Sequence, residues 1–237
     1  MRLQDAAIQG EDPNMNQPAE IDAAPIHALL LVGPGCPHCA GVLEGLGSLI
    51  KEAALGRLEV VNIAAEPALA RELGVRSVPW MRIGPFELSG LHTPAELRHW
   101  VALAAREDGM THYLADLLAT GRRAQVTTRV QQDPTLLPRL VDLLGDPESG
   151  LSVRIGVMAT LEELQGSGRL TGLADGLAPL TRHGAPRIRA DACHALSLTG
   201  APGIRELIRP CLADPDPEVR ETAADAIETL DQGSTEP

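Results

Sequence analysis

The sequence predicts an α/β domain followed by an all-α solenoid. Three observations carry this expectation. From Ile26 to about residue 105, short apolar runs alternate with helical stretches. Strand-like runs then stop. From His112 to Leu230, helical stretches separated by Gly, Asp and Pro recur in pairs. At 237 residues the chain is long enough for two such units, each with its own core.

In the first unit, Ile26 to Val32 is an apolar run broken only by His27, as expected of a strand covered on both faces. Gly33, Pro34 and Gly35 turn the chain into a helix expected to begin near Cys36, with Val42, Leu46, Leu49 and Ile50 on its buried face. A second strand, Leu58 to Ile63, precedes a short helix, Pro67 to Leu73, that stops at Gly74, a natural residue just past a helix end. Two short strands follow, Trp80 to Ile83 and Phe86 to Ser89, joined through Gly84 and Pro85. Thr93, Pro94 and Glu96 then form a capping box with Pro in the first turn, opening a helix whose buried stripe is Leu97, Val101 and Ala104. The order is βαβαββα over residues 26–105.

The second unit carries an internal repeat. "DPESGLSVRIGVMATL", "HGAPRIRADACHAL" and "DPDPEVRETAADAIETL" each place a turn before Val or Ile, then Arg, then small residues. Arg154, Arg189 and Arg220 occupy corresponding positions 35 and 31 residues apart, a spacing suited to stacked helical hairpins. The pairs fall at about 135–165, 170–199 and 202–230. They resemble HEAT repeats, and the resemblance implies that these arginines support the turns between helices. His112 to Gln131 lacks the Arg motif and is expected, within 106–134, to be a degenerate capping pair, with the repeats proper over 135–231. Residues 1–25, rich in Pro, Asn, Gln and Asp, are expected to be a mobile arm, with an added strand as the alternative, and 232–237 a disordered tail.

The chemistry concentrates in "GPGCPHCAGVLEGL". A cysteine at a helix N-terminus meets unpaired backbone N–H groups and the positive end of the macrodipole, which favour thiolate over thiol. Cys36 is therefore the expected nucleophile. Cys39, three residues on and on the same helix face, is placed to attack a mixed disulfide at Cys36 and is the expected resolving thiol. Pro37 suits the first turn, and His38 offers positive charge or a hydrogen bond beside the thiolate.

With this motif between a strand and a helix, residues 26–105 resemble the thioredoxin superfamily, in the compact order also seen in glutaredoxins. "CPHC" is similar to the active site of periplasmic dithiol oxidases. The resemblance implies a cis peptide before the third core strand, facing the thiols. Val78-Pro79 matches that position, with the Val78 backbone available to pair with a substrate chain. Three residues depart from the family pattern. Gly35 stands where thioredoxins have Trp, Leu30 where a buried carboxylate would help deprotonate the resolving thiol, and Trp80 follows the expected cis-Pro. Trp80 is expected either to cover the disulfide or to contact a partner.

The rival readings of the motif are a vestigial pair, a zinc site completed by Cys193, Cys211 or a distant His, and a cluster held between protomers, as glutaredoxin-like proteins allow. Redox chemistry without metal is the expectation. Cys211 follows Ile204, Leu207 and Ile208 on a buried face, and Cys193 from the preceding pair is placed to approach it, as core thiols or as a second thiol pair. His27, His92, His99, His112, His183 and His194 show no ligand-like spacing.

Composition narrows the function. Thirty-two acids against 20 basic residues, a net charge of -12, argue against phosphate-backbone recognition, so no nucleic-acid partner is expected. No apolar run approaches the ~20 residues that span a bilayer. No GxxxxGK[ST] or GxGxxG occurs, so no nucleotide cofactor is expected. The first 25 residues lack the apolar core of a secretory signal, which points to the cytoplasm, where a thiol pair is catalytic or sensing rather than a permanent staple. The expected activity is thiol-disulfide exchange, with the acidic repeats docking a protein client or thiol donor. The alternative is a redox-sensing scaffold without turnover. CPHC favours oxidation of a client and the cytoplasm favours reduction.

Overall fold

The computed structural model describes residues 25–233. The arm expected over 1–25 therefore lies, but for Pro25, outside the described residues, as does the end of the expected tail. The first part of the chain is β1 (His27–Val32), α1 (Cys39–Lys51), β2 (Arg57–Asn62), α2 (Pro67–Glu72), β3 (Trp80–Ile83), β4 (Phe86–Ser89) and α3 (Pro94–Ala104). The sheet order is β2-β1-β3-β4, with β1 parallel to β2 and antiparallel to β3, and β3 antiparallel to β4. Leu30 lies opposite Met81, and Leu31 opposite Trp80.

Alternation along the strands then divides the sheet into two faces. Leu30, Met81, Ile83, Phe86 and Leu88 join Val42 and Leu46 of α1 and Leu97 and Val101 of α3 in the main core. Leu31 and Trp80, with Val61, form a smaller cluster against Leu69 and Leu73 at α2. The Thr93 hydroxyl accepts the Glu96 N–H while the Glu96 carboxylate accepts the Thr93 N–H, the reciprocal capping box expected there.

The helix expected near Cys36 begins at Cys39. Gly35 sits at φ +72°, in the left-handed region, and the Cys36 N–H donates to the Gly33 carbonyl at 3.4 Å. The chain is still completing this turn through Pro37 and His38, and the helical ladder opens where the Val42 N–H reaches the His38 carbonyl. A glycine-permitted reversal thus uses the three residues that periodicity alone would place in the helix.

Beyond α3 the described residues are helical: α4 (Gly109–Ala119), α5 (Arg123–Gln132), α6 (Leu137–Gly145), α7 (Leu151–Glu163), α8 (Ala174–Leu177), α9 (Pro186–Leu198), α10 (Ile204–Ile208) and α11 (Pro217–Gly233). Helix α11 runs two residues into the tail expected from 232. Short 3-10 segments, Ala178–Arg182 and Arg209–Ala213, continue α8 and α10. Each carries a proline, Pro179 and Pro210, which has no N–H for the α-helical ladder.

Two of the repeated arginines join neighbouring pairs. Arg154 of α7 binds Asp191 of α9 at 2.6 Å. Arg189 of α9 holds Asp214 through two bonds of 2.7 Å and also donates to the His183 and Gly184 carbonyls. Arg220 donates to the Asp214 and Pro215 carbonyls. Arg189 and Arg220 support turns as the repeat resemblance implies. Arg154 instead crosses to the next pair.

Three of the chain's four aromatic residues meet where the two parts join. Phe86 of β4 stacks on Tyr113 of α4 at 4.9 Å, and Trp100 of α3 packs edge-on to both. The Tyr113 hydroxyl donates to the Glu87 carbonyl at 2.8 Å and accepts the Glu87 N–H at 3.2 Å. Arg129 of α5 lies over the Tyr113 ring and pairs with the Glu87 carboxylate at 2.9 Å. One phenol thereby satisfies both backbone groups of Glu87 on the outer edge of β4, which would otherwise be open to another strand. The main core continues through this junction into α11.

Candidate functional site

The thiol pair lies where the C-terminal end of β1 passes through the Gly33–Gly35 turn into α1. Cys36 and Cys39 form a disulfide with Cα atoms 5.6 Å apart. Their environments differ: Cys36 is half-buried, and Cys39 is 7 % exposed. The Cys39 N–H donates to Cys36 Sγ at 3.1 Å. That bond is what an unpaired N–H at a helix start supplies. A half-buried sulfur that accepts a backbone N–H thus lies beside a more shielded one.

The Val78-Pro79 peptide is cis. The Val78 carbonyl oxygen lies 3.6 Å from Cys36 Sγ, so the loop before β3 faces the sulfur. Val78 is half-buried and Pro79 buried. The opposing turn comes close because Gly33 has no side chain: a Cβ there would stand 3.2 Å from a Val78 methyl and 3.4 Å from Ile63. On the far side of the loop the Gly90 N–H donates to the Pro79 carbonyl at 2.9 Å, and the next residue, Leu91, is 57 % exposed.

The structure therefore brings together Cys36, Cys39, Val78 and Pro79. Pro37 and His38 are exposed in the turn, and His38 caps α1 without a side-chain bond. Trp80 is corrected. It neither covers the disulfide nor presents a partner contact, because β3 pleats it onto the sheet face away from α1, where it is 7 % exposed against Leu31 and Val61 with Arg82 over its ring. Leu30 is fully buried in the main core beneath α1, so an apolar side chain occupies the place where the family resemblance implies a carboxylate. Sequence reasoning gave Gly33 only as part of the turn before Cys36, and missed Gly90 and Leu91. The signals were a glycine beside the CxxC turn and an apolar residue stranded between Gly90 and His92.

Cys193 and Cys211 are free and buried. Burial, with the neighbouring Cys211, pushes the Cys193 thiol well above the ordinary cysteine range. The Cys211 thiol donates to the Thr181 carbonyl at 3.7 Å. Among the described residues no three His, Cys, Asp or Glu side chains converge as a metal site.

A family model for the thioredoxin domain matches residues 27–102. This part of the chain is a thioredoxin-like domain. A second family model, for HEAT repeats, matches residues 174–236, which include α9, α10 and α11. No curated protein matches the chain. The thioredoxin-like domain thus carries a CxxC pair at the end of its first described strand, followed by a helical repeat region, and no described helix is long and apolar enough to cross a membrane.

Proposed function

We propose that the protein is a thiol-disulfide oxidoreductase working through Cys36 and Cys39 in the cytoplasm, with its repeats docking a protein client or thiol donor. The observation that carries this reading is the unequal pair: Cys36 reachable and hydrogen-bonded by the Cys39 N–H, Cys39 shielded, and the cis Val78-Pro79 loop facing the reactive sulfur.

In the reducing direction the Cys36 thiolate attacks one sulfur of a client disulfide. A mixed disulfide forms and the other client sulfur leaves as thiolate. Cys39, deprotonated, then attacks Cys36 Sγ, closing the internal disulfide and releasing the second client thiolate. Two electrons pass to the client, and a thiol donor restores the dithiol by the same exchange. Oxidation of a client dithiol is the reverse sequence. The Val78 backbone, half-buried beside Cys36, lines up the client chain, and Pro37, His38 and Leu91 form the exposed rim around it.

The experiment is trapping. Cys39→Ser should accumulate a covalent mixed disulfide at Cys36 that reductant releases, whereas Cys36→Ser should accumulate none. Equal trapping by both, or by neither, refutes the assignment. One observation favours the alternative of a sensor without turnover: the apolar Leu30 beneath the site supplies no base for Cys39. A sensor would change partner affinity between reduced and oxidised protein while showing negligible multiple turnover with a small disulfide.

A further inference from the structure

Helices α7, α9 and α11 lie side by side, and each presents one stripe to a shared groove. At the α7 end the groove opens between Leu151, Ile155 and Met158. It continues past Glu162 and His194 into a cleft of about 490 Å³ that reaches Asp225 on α11. Two features need an explanation that folding does not provide. Leu151 and Ile155 are 67 % and 58 % exposed, adjacent at i and i+4 on one helix face, where an isolated helix surface gains nothing from large apolar side chains. The other end is acidic: Glu162 of α7 and Asp225 of α11 both line the cleft, whereas Asp231 of α11 is bound by Arg205 and is not part of its lining. The carboxylate of Asp225 has no partner among the described residues, and Glu162 faces only His194, at 3.4 Å.

We infer that this groove binds a basic amphipathic helix of a partner protein, its apolar face on Leu151, Ile155 and Met158 and its lysines or arginines reaching Glu162 and Asp225. The inference rests on the reading that the repeats dock a client or thiol donor, and it names the surface and the chemistry of what docks. The occupant follows from charge complementarity. An apolar pair one helical turn apart, continuous with an acidic cleft, matches a helix with apolar residues on one stripe and cations beside it. An acidic segment would place carboxylates against Glu162 and Asp225, and a purely apolar one would leave both charges facing it unpaired.

The test uses the full chain and a fluorescent amphipathic peptide of Leu and Lys, about 18 residues long so that it forms several turns, with its Leu/Glu counterpart as control. Anisotropy should show binding of the Leu/Lys peptide, weakened by added salt, and none of the Leu/Glu peptide. Ile155→Ser and Asp225→Asn should each weaken binding about fivefold, the effect of roughly one kcal/mol, with circular dichroism showing the fold retained. Glu44→Gln removes the same charge from an exposed position on α1 and should change nothing. Equal weakening by Glu44→Gln would reduce the effect to net charge and overturn the proposal. So would unchanged binding in the Ile155→Ser, Asp225→Asn double variant, or self-association of the chain that these substitutions abolish. Reduction of a small disulfide, followed in parallel, separates the two readings. Its loss with peptide binding intact defeats the oxidoreductase reading, and lost peptide specificity with intact turnover defeats only the groove.

Discussion

Tyr113→Phe removes one oxygen and leaves the ring in place. That hydroxyl accepts the Glu87 N–H and donates to the Glu87 carbonyl, so its loss leaves two backbone groups without partners on the outer edge of β4. An unpaired buried polar group costs about 1–3 kcal/mol. Tyr113 is fully buried while Glu87 is half-buried, so water reaches the freed groups in part and the lower end applies to each. The expected loss is about 2–3 kcal/mol, or roughly 5–10 °C in Tm for a chain of this size. Urea unfolding of wild type and variant measures it, and hydrogen exchange should show the Glu87 amide losing protection. A loss below about 0.5 kcal/mol, the ordinary range for a surface change, would refute the argument that α4 seals the sheet edge through this phenol.

The same residue predicts a pH dependence. Burial, the largest influence, holds the Tyr113 phenol above its ordinary 10.0, partly offset by the Arg129 charge and the Glu87 hydrogen bond. The neutral phenol is favoured in the folded state, so this stabilisation is complete below pH 10 and is lost as pH rises through the folded value; the decline in stability above that pH should be shallower in Tyr113→Phe. After reduction under native conditions, Cys36 should be alkylated at least about 100-fold faster than Cys193, because a buried thiol with a raised pKa holds little thiolate; timed iodoacetamide quenching with peptide mass spectrometry reads the ratio. Two glycines should respond in opposite senses. Gly47→Ala, in α1 with open space around the new methyl, should stabilise by about 0.5–1 kcal/mol. Gly109→Ala should destabilise by about 2 kcal/mol or more, because its Cβ would fall 1.9 Å from the Leu103 carbonyl oxygen, a backbone atom that cannot swing aside.

Much of this protein was legible in one dimension. Strand and helix periods are local properties, set by which side chains must share a face, and they placed β3, β4 and the start of α3 at the observed residues. The capping box at Thr93 and the CxxC spacing of Cys36 and Cys39 follow from chemistry within a few residues. The cis peptide at Val78-Pro79 was legible only through the family resemblance, because proline permits a cis bond without requiring one. The thioredoxin match ends at residue 102, near the change of period, while the HEAT match covers only 174–236 of the helical part.

What the sequence by itself determined, then, is the order of elements, the two architectures and the CxxC-spaced cysteine pair, all consequences of short-range pattern. Tertiary structure alone decided which face a residue uses and whom it meets. Trp80 is one residue from the cis-Pro in the chain, yet the two-residue pleat of β3 carries it to the opposite side of the sheet. Arg154 and Arg189 share a sequence motif, but each chooses its partners by what the neighbouring pair presents. Tyr113 shows no local signal of its role, because the edge it closes lies 26 residues away and exists only once β4 has joined the sheet. Contacts of that range depend on packing geometry, which a pattern read along the chain does not contain.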